Sequence, residues 1–239
     1  MKKVCVRVSV ETEGQLEAVL EAERADLIYI DSGTFAPGEW KDICRRIHEK
    51  GMEAGLRMPF IFRKRAEDFF DSHLKELSEA GFDRLLCRNL ESVGYLKDRG
   101  VSMPISLDHN VYDFNSLTEE ILEELTGIAD FELTLPLELS KRELSELRGS
   151  SRHKRELVVY GRAPMMVSAQ CVHAAESGCD RKPGLRLITD RTGRHLPVRN
   201  YCSFCYNVIF NFAPTVLWDL EDELSAIDHQ SRRYEFTVE

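Results

Sequence analysis

Four cysteines, Cys171, Cys179, Cys202 and Cys205, fall within 35 residues of one another. The last two form a C-x-x-C, and seven residues separate the first two. Thiolate is a soft ligand, so four of them suit tetrahedral zinc or an iron–sulfur cluster. Structural zinc prefers two tight pairs, and only Cys202-Ser203-Phe204-Cys205 is tight. The wide first gap suits a cluster that draws its ligands from separate segments. His173 and His195 are spare ligands of either site, each more simply read as a polar loop residue. Two plainer readings compete: thiols that are merely buried, and a C-x-x-C redox couple, which leaves Cys171 and Cys179 unexplained. Cys5, Cys44 and Cys87 sit at core positions of strands or helices and read as packing residues.

A second group of chemical residues stands where apolar runs end: Asp31, Arg57, Arg88, Asn89, Asp108, His109, Asn110, Glu138 and Arg162. Alone, each is a cap, a turn residue or half of an ion pair. Gathered at one end of a sheet, they would form a pocket with several arginines, suited to an anionic or carboxylate-bearing ligand. Asp31, Arg57, His109, Asn110, Glu138 and Arg162 are the candidate substrate-binding residues. No catalytic residue is assigned. Asp108 and His109 are neighbours on one strand, whose side chains leave opposite faces, so they form no dyad. HExxH and GxSxG are both absent, and nothing marks Ser168 or Cys171 as a nucleophile.

Such residues need a scaffold, and the chain supplies a regular one. Strand patterns at Val4–Val10, Leu27–Ile30, Glu53–Met58, Arg84–Cys87, Pro104–Leu107, Phe131–Leu135 and Leu157–Tyr160 alternate with helical patterns. Helices are expected over Glu13–Glu23, Pro37–Lys50, Arg63–Ala80 and Leu90–Arg99, then from Ser116 and from Ser140, both with capping-box spacing to a glutamate. Leu217–Ile227 reads as a last helix and Tyr234–Val238 as an eighth strand. Eight strands with short crossovers predict a (β/α)8 TIM-type barrel of about the usual size. An open doubly wound sheet competes, but no GxGxxG follows the first strand. The rhythm breaks once, at 165–214. There Leu185–Asp190 and His195–Val198 flank Arg191-Thr192-Gly193-Arg194 as a hairpin, a cysteine-rich insert after the seventh strand, at the mouth where barrel enzymes work.

The bulk numbers agree with one barrel domain spanning 1–239. The chain is 43% hydrophobic and 31% charged, with a net charge of −9. That charge argues against a broad grip on nucleic acid and leaves room for a local basic pocket. No apolar run approaches the roughly 20 residues of a bilayer span, so no membrane partner is expected. The start, Met1-Lys2-Lys3-Val4, shows no signal segment, and seven cysteines favour thiols or metal ligands over disulfides. A cytoplasmic protein is the expectation. The abrupt entry into a strand is also what a segment of a longer chain would show.

Several stretches are similar to a known family. Glu156-Leu157-Val158-Val159-Tyr160-Gly161-Arg162-Ala163-Pro164-Met165-Met166-Val167-Ser168, followed by Cys171, closely resembles the signature of peptidase family U-32, the collagenase-like proteins. Leu187–Pro197 resembles its L-x-D-R-x-G-x-x-x-P hairpin, Leu107–Asn115 its fifth-strand region, and Leu133–Leu139 its T-x-S-x-E-L segment, here with Leu135-Pro136-Leu137 before Glu138. The resemblance implies a barrel in which Cys171, Cys179, Cys202 and Cys205 ligate a [4Fe–4S] cluster, with zinc the alternative metal. It also implies hydroxylation or modification of an RNA or a small aromatic substrate, with an electron donor that the sequence does not identify. The family name offers a peptidase or peptide-binding module instead, and a zinc-stapled structural domain is the blandest reading.

Overall fold

The computed structural model describes residues 4–128, 130–147 and 151–239. Its first two-thirds alternate strand and helix: β1 (Cys5–Val10), α1 (Glu13–Ala22), β2 (Leu27–Asp31), α2 (Trp40–Glu49), β3 (Glu53–Arg57), α3 (Lys64–Ser72), α4 (Leu74–Glu79), β4 (Arg84–Cys87), α5 (Leu90–Asp98), β5 (Ile105–Leu107), α6 (Ser116–Thr126), β6 (Glu132–Thr134), α7 (Lys141–Glu146) and β7 (Lys154–Gly161). An excursion follows, made of β8 (Pro164–Ser168), α8 (Val172–Ser177), β9 (Gly184–Thr189), β10 (His195–Tyr201) and β11 (Tyr206–Phe210). The chain then returns through β12 (Thr215–Val216), α9 (Glu221–Leu224) and β13 (Ser231–Glu235).

Strands β1 to β7 pair in parallel with their sequence neighbours, and β13 pairs in parallel with both β7 and β1. The sheet is thereby closed on itself with helices between the strands. This is a TIM-type (β/α)8 barrel.

Its two layers carry different chemistry. Val8, Val10, Ile28, Ile30, Ala54, Leu56 and Leu85 are buried in one cluster with Leu16, Leu20, Trp40, Ile43, Ile47 and Phe70 of the helices. Alternation then turns the intervening residues into the lumen. There, among the described residues, Leu27, Tyr29 and Leu86 form a small apolar cluster of their own. Around it the buried inward residues are largely charged or polar, among them Arg7, Asp31, Arg57, Asp108, Glu132, Glu156 and Arg233, where most barrels place branched aliphatics.

Four local expectations are corrected. The Arg63–Ala80 helix breaks at His73, whose ring Nδ1 donates to the Phe69 carbonyl at 2.7 Å while its N–H turns to Phe70. The cap of α6 is Asn115, which accepts from Leu117 and Thr118; Glu119 turns inward to Arg155 at 2.7 Å instead of closing a box. At α7 the Ser140–Glu143 box forms as expected. The Leu217–Ile227 helix shrinks to α9. The eighth strand starts three residues earlier than Tyr234, because its lumen-facing positions are Ser231, Arg233 and Glu235 and a search for apolar alternation passes over them. The expectation for Met1–Lys3 lies outside the described residues.

Candidate functional site

The upper lumen is a connected set of buried charges. Arg57 reaches Asp31 at 3.0 Å, Glu235 at 3.1 Å and Glu11. Arg88 also holds Asp31, and its Nε donates to the Met58 carbonyl at 2.6 Å. Arg233 bridges Asp108, Glu156 at 2.7 Å and Glu235 at 3.6 Å. Below them Arg7 meets Glu132 and Glu156. Burial alone would raise the Asp31 and Asp108 carboxyls, but the facing guanidiniums outweigh it and hold both below the usual range. At Glu11 burial wins over Arg57, and the carboxyl is raised.

The excursion after β7 closes this lumen from above. Strands β8, β11, β10 and β9 form an antiparallel sheet in that order. The expected hairpin is its β9–β10 half, with Thr189 opposite His195; β8 and β11, unmarked by alternation, add the other half. Tyr201, Phe204 and Tyr206 are buried at the β10–β11 turn. Phe204 packs against Phe69 and Phe70 with ring centroids 5.0 and 6.0 Å apart. The Tyr201 hydroxyl donates to Glu11 at 2.7 Å, and Arg199 lies 2.8 Å from the same carboxylate. The Tyr206 hydroxyl accepts from the Phe60 N–H at 3.2 Å.

With those three rings pointing down, the turn carries Cys202 and Cys205. Cys205 takes a left-handed backbone, φ 60°, which a non-glycine residue holds only where its surroundings impose it. The other two cysteines are tied to the same strand end. The Asn207 side chain, fully buried, accepts from the Val172 N–H at 2.8 Å and donates to the Ser168 carbonyl at 3.3 Å, fixing the Cys171 segment. His173 pairs with Asp180 at 3.0 Å, fixing the residue after Cys179. Burial, then the charges of Cys171, Cys179, Asp180 and Cys205, raise the Cys202 thiol. Among the described residues, no three His, Cys, Asp or Glu side chains are gathered at metal-ligating distance. In type alone, four thiols are the donor set that a thiolate-held centre uses. Cys44 and Cys87 are buried packing residues, as expected, whereas Cys5 is only half-buried, at the start of β1. Burial pushes the Cys44 and Cys87 thiols up to about 12, far from thiolate reactivity.

The predicted strand-end residues divide into three groups. Asp31 and Arg57 are in the charge network, where both arginines of that corner are already spent on carboxylates rather than held free for a ligand. His109 and Asn110 follow β5, and three buried polar atoms in a row, Asp108 Oδ2, His109 Nδ1 and Asn110 Oδ1, have no hydrogen-bond partner. Glu138 lies exposed in a turn, apart from the network, and Arg162 is committed to the Asn211 carbonyl at 3.2 Å and to Glu239 at 3.4 Å. Glu11, Arg199, Tyr201, Tyr206, Arg233 and Glu235 were not foreseen. Glu11 directly ends the first strand, and the tyrosines bracket the C-x-x-C, so both signals were present.

Next to Asn110 a cleft of about 510 Å³ opens at the ends of β3, β4 and β5, lined among others by Phe60, Phe62, Arg88, Asn89, Asn110 and Tyr112. The Arg88 guanidinium stacks over the Phe60 ring at 4.0 Å. The Asn89 side chain donates to the Pro59 carbonyl at 2.8 Å and anchors this loop. Charge is also unevenly distributed. Residues 165–214 hold six Lys or Arg against three Asp or Glu, a net of +3 within a chain of −9.

The sequence pattern of peptidase family U32 matches residues 24–184, more than half of the chain, including Cys171 and Cys179. No curated protein matches. Among solved structures, truncated 3-deoxy-D-arabino-heptulosonate 7-phosphate synthase from Thermotoga maritima is similar at TM-score 0.53 and 10% identity, covering 97% of this chain and 74% of that one. Monomeric phosphoribosylanthranilate isomerase from Thermotoga maritima is similar at TM-score 0.51 and 9% identity, covering 98% of this chain and 87% of that one. At such identities the likeness concerns the barrel alone. The family match settles the assignment: the chain belongs to peptidase family U32.

Proposed function

From that membership, we propose that this chain is an iron–sulfur barrel enzyme acting in hydroxylation or a related modification of an RNA or a small aromatic substrate. Cys171, Cys179, Cys202 and Cys205 would hold a [4Fe–4S] cluster. When bound, such a cluster supplies one-electron transfer beside the barrel mouth. The observation that supports the reading is the seating of Tyr201, Phe204 and Tyr206 in the mouth, which carries the C-x-x-C turn over the strand ends, with the Cys171 segment tied to Asn207 of β11.

The remaining roles belong to the chain itself. Phe60, Phe62 and Tyr112 offer ring faces to a planar substrate in the cleft, where base–aromatic stacking is worth about 1–3 kcal/mol per base. The exposed Arg63 guanidinium meets a phosphate or carboxylate at the rim of the cleft. Tyr206 links the cleft to the cysteine turn through Phe60. The basic 165–214 sheet supplies the local attraction for an anion that the acidic barrel lacks.

The test is a mass-spectrometric profile of RNA nucleosides and quinone precursors from cells carrying the native chain or Cys202→Ser. The account expects one species, heavier by one oxygen, to disappear in the variant. Unchanged profiles would overturn it. Gelatin cleavage that survives alanine at all four cysteines would favour a peptidase.

A further inference from the structure

Helix α6 carries its own set of large apolar side chains on the side away from the barrel. Leu117, Ile121 and Leu125 recur at i, i+4 and i+8, which puts them on one face, and they are 61%, 45% and 63% exposed. The inward face is filled separately by Glu119, Leu122 and Thr126, all buried. The strip continues through Phe114 and Tyr112, whose rings stack 5.6 Å apart and which are also exposed. Tyr112 and Leu90 then carry it to the edge of the cleft. Single exposed leucines are ordinary; three large apolar side chains on one helical face, with a stacked and exposed aromatic pair just before the helix, mark an association surface.

Along α6 the border of this face is acidic: Glu120 and Glu124 are exposed, while Glu123 is occupied by Arg152 and His153. Apolar anchors one helical turn apart are what helix-on-helix recognition reads, and the charged border selects the partner. We propose that this face docks an amphipathic helix of a protein partner whose apolar stripe is bordered by lysine or arginine. A second copy of this chain would set Glu120 and Glu124 against their own counterparts, and an anionic membrane surface would meet the same repulsion.

Two synthetic 18-residue helical peptides test this by fluorescence anisotropy, one with a leucine stripe bordered by lysines and one with the same stripe bordered by glutamates. The full chain is compared with the triple variant Leu117→Gln, Ile121→Gln, Leu125→Gln, whose exposed positions leave the fold intact by circular dichroism. The lysine peptide should bind the native chain at least tenfold more tightly than the glutamate peptide. That binding should weaken with salt and fall at least tenfold in the triple variant. No binding of the lysine peptide, or equal binding by the triple variant, would overturn the proposal. So would a concentration-dependent dimer or binding to anionic vesicles that the triple variant abolishes.

Discussion

Replacing Arg233 with methionine tests whether the lumen charges are held by mutual pairing. Arg233 is fully buried and touches three carboxylates. Without it Glu156 keeps Arg7 at 3.2 Å and the Thr134 hydroxyl at 3.0 Å, and Glu235 keeps Arg57 at 3.1 Å. Asp108 is left with the His109 N–H at 2.8 Å. The cost is therefore dominated by one uncompensated buried carboxylate, about 3–5 kcal/mol. The pH dependence follows from the sign of the shift. Asp108 is depressed in the native chain, so its contribution is present above the unfolded value of about 3.9 and is lost as pH falls through the folded one. In the variant the carboxyl rises, and protonation relieves the unpaired charge. Urea unfolding at pH 7 and pH 4 should show the deficit in full at pH 7 and narrowed at pH 4. Arg45→Met, which removes an exposed pairing with Asp42 and Glu49, should change nothing resolvable. A deficit below about 1 kcal/mol at pH 7, or one equal at both pH values, would refute the reasoning.

Other tests probe separate joints of the structure. Burial and Glu119 push the Asp113 carboxyl up to about 6. The native chain therefore loses stability as pH rises from about 4 through about 6, on the order of 3 kcal/mol for a shift of about two units; Asp113→Asn should gain relative to it above pH 6 and match it below pH 4 in urea midpoints. A Cβ at Gly33 would lie 2.9 Å from Tyr201 and 3.2 Å from Phe204. Gly33→Ala should cost about 1–3 kcal/mol and lower the iron bound after anaerobic reconstitution, whereas Gly38→Ala, with open space at its Cβ, should do neither. Phe204→Ala should cost about 3–5 kcal/mol and raise protease cleavage within 165–214, and unchanged cleavage would contradict the seating of the insert.

The barrel was legible because its helix-facing layer is ordinary. Ile28, Ile30, Leu56 and Leu85 give strand patterns, and the glycines at 51, 81 and 100, all with positive φ, mark helix ends. The lumen was not legible. Arg7, Glu132, Glu156 and Arg233 carry no signal of their own in an apolar pattern, and the closed ring is what shows that they face one another across it. The same inversion misplaced the last strand onto Tyr234 and Phe236, which face outward and line an apolar groove with Val6, Val8 and Val19. The four cysteines were conspicuous from spacing. The support from Asn207 was not, since it becomes a partner of the Cys171 segment only when β8 and β11 complete the sheet. Glu138 was chosen for its place after a strand, and that turn faces solvent.

The central claim is that the four thiols hold an iron–sulfur centre, and one preparation tests it most directly. Protein purified without oxygen should be brown, with broad visible absorption that bleaches on reduction, and should carry about four iron and four sulfide per chain, both lost in Cys202→Ser. A colourless protein with one zinc and no sulfide would contradict the account.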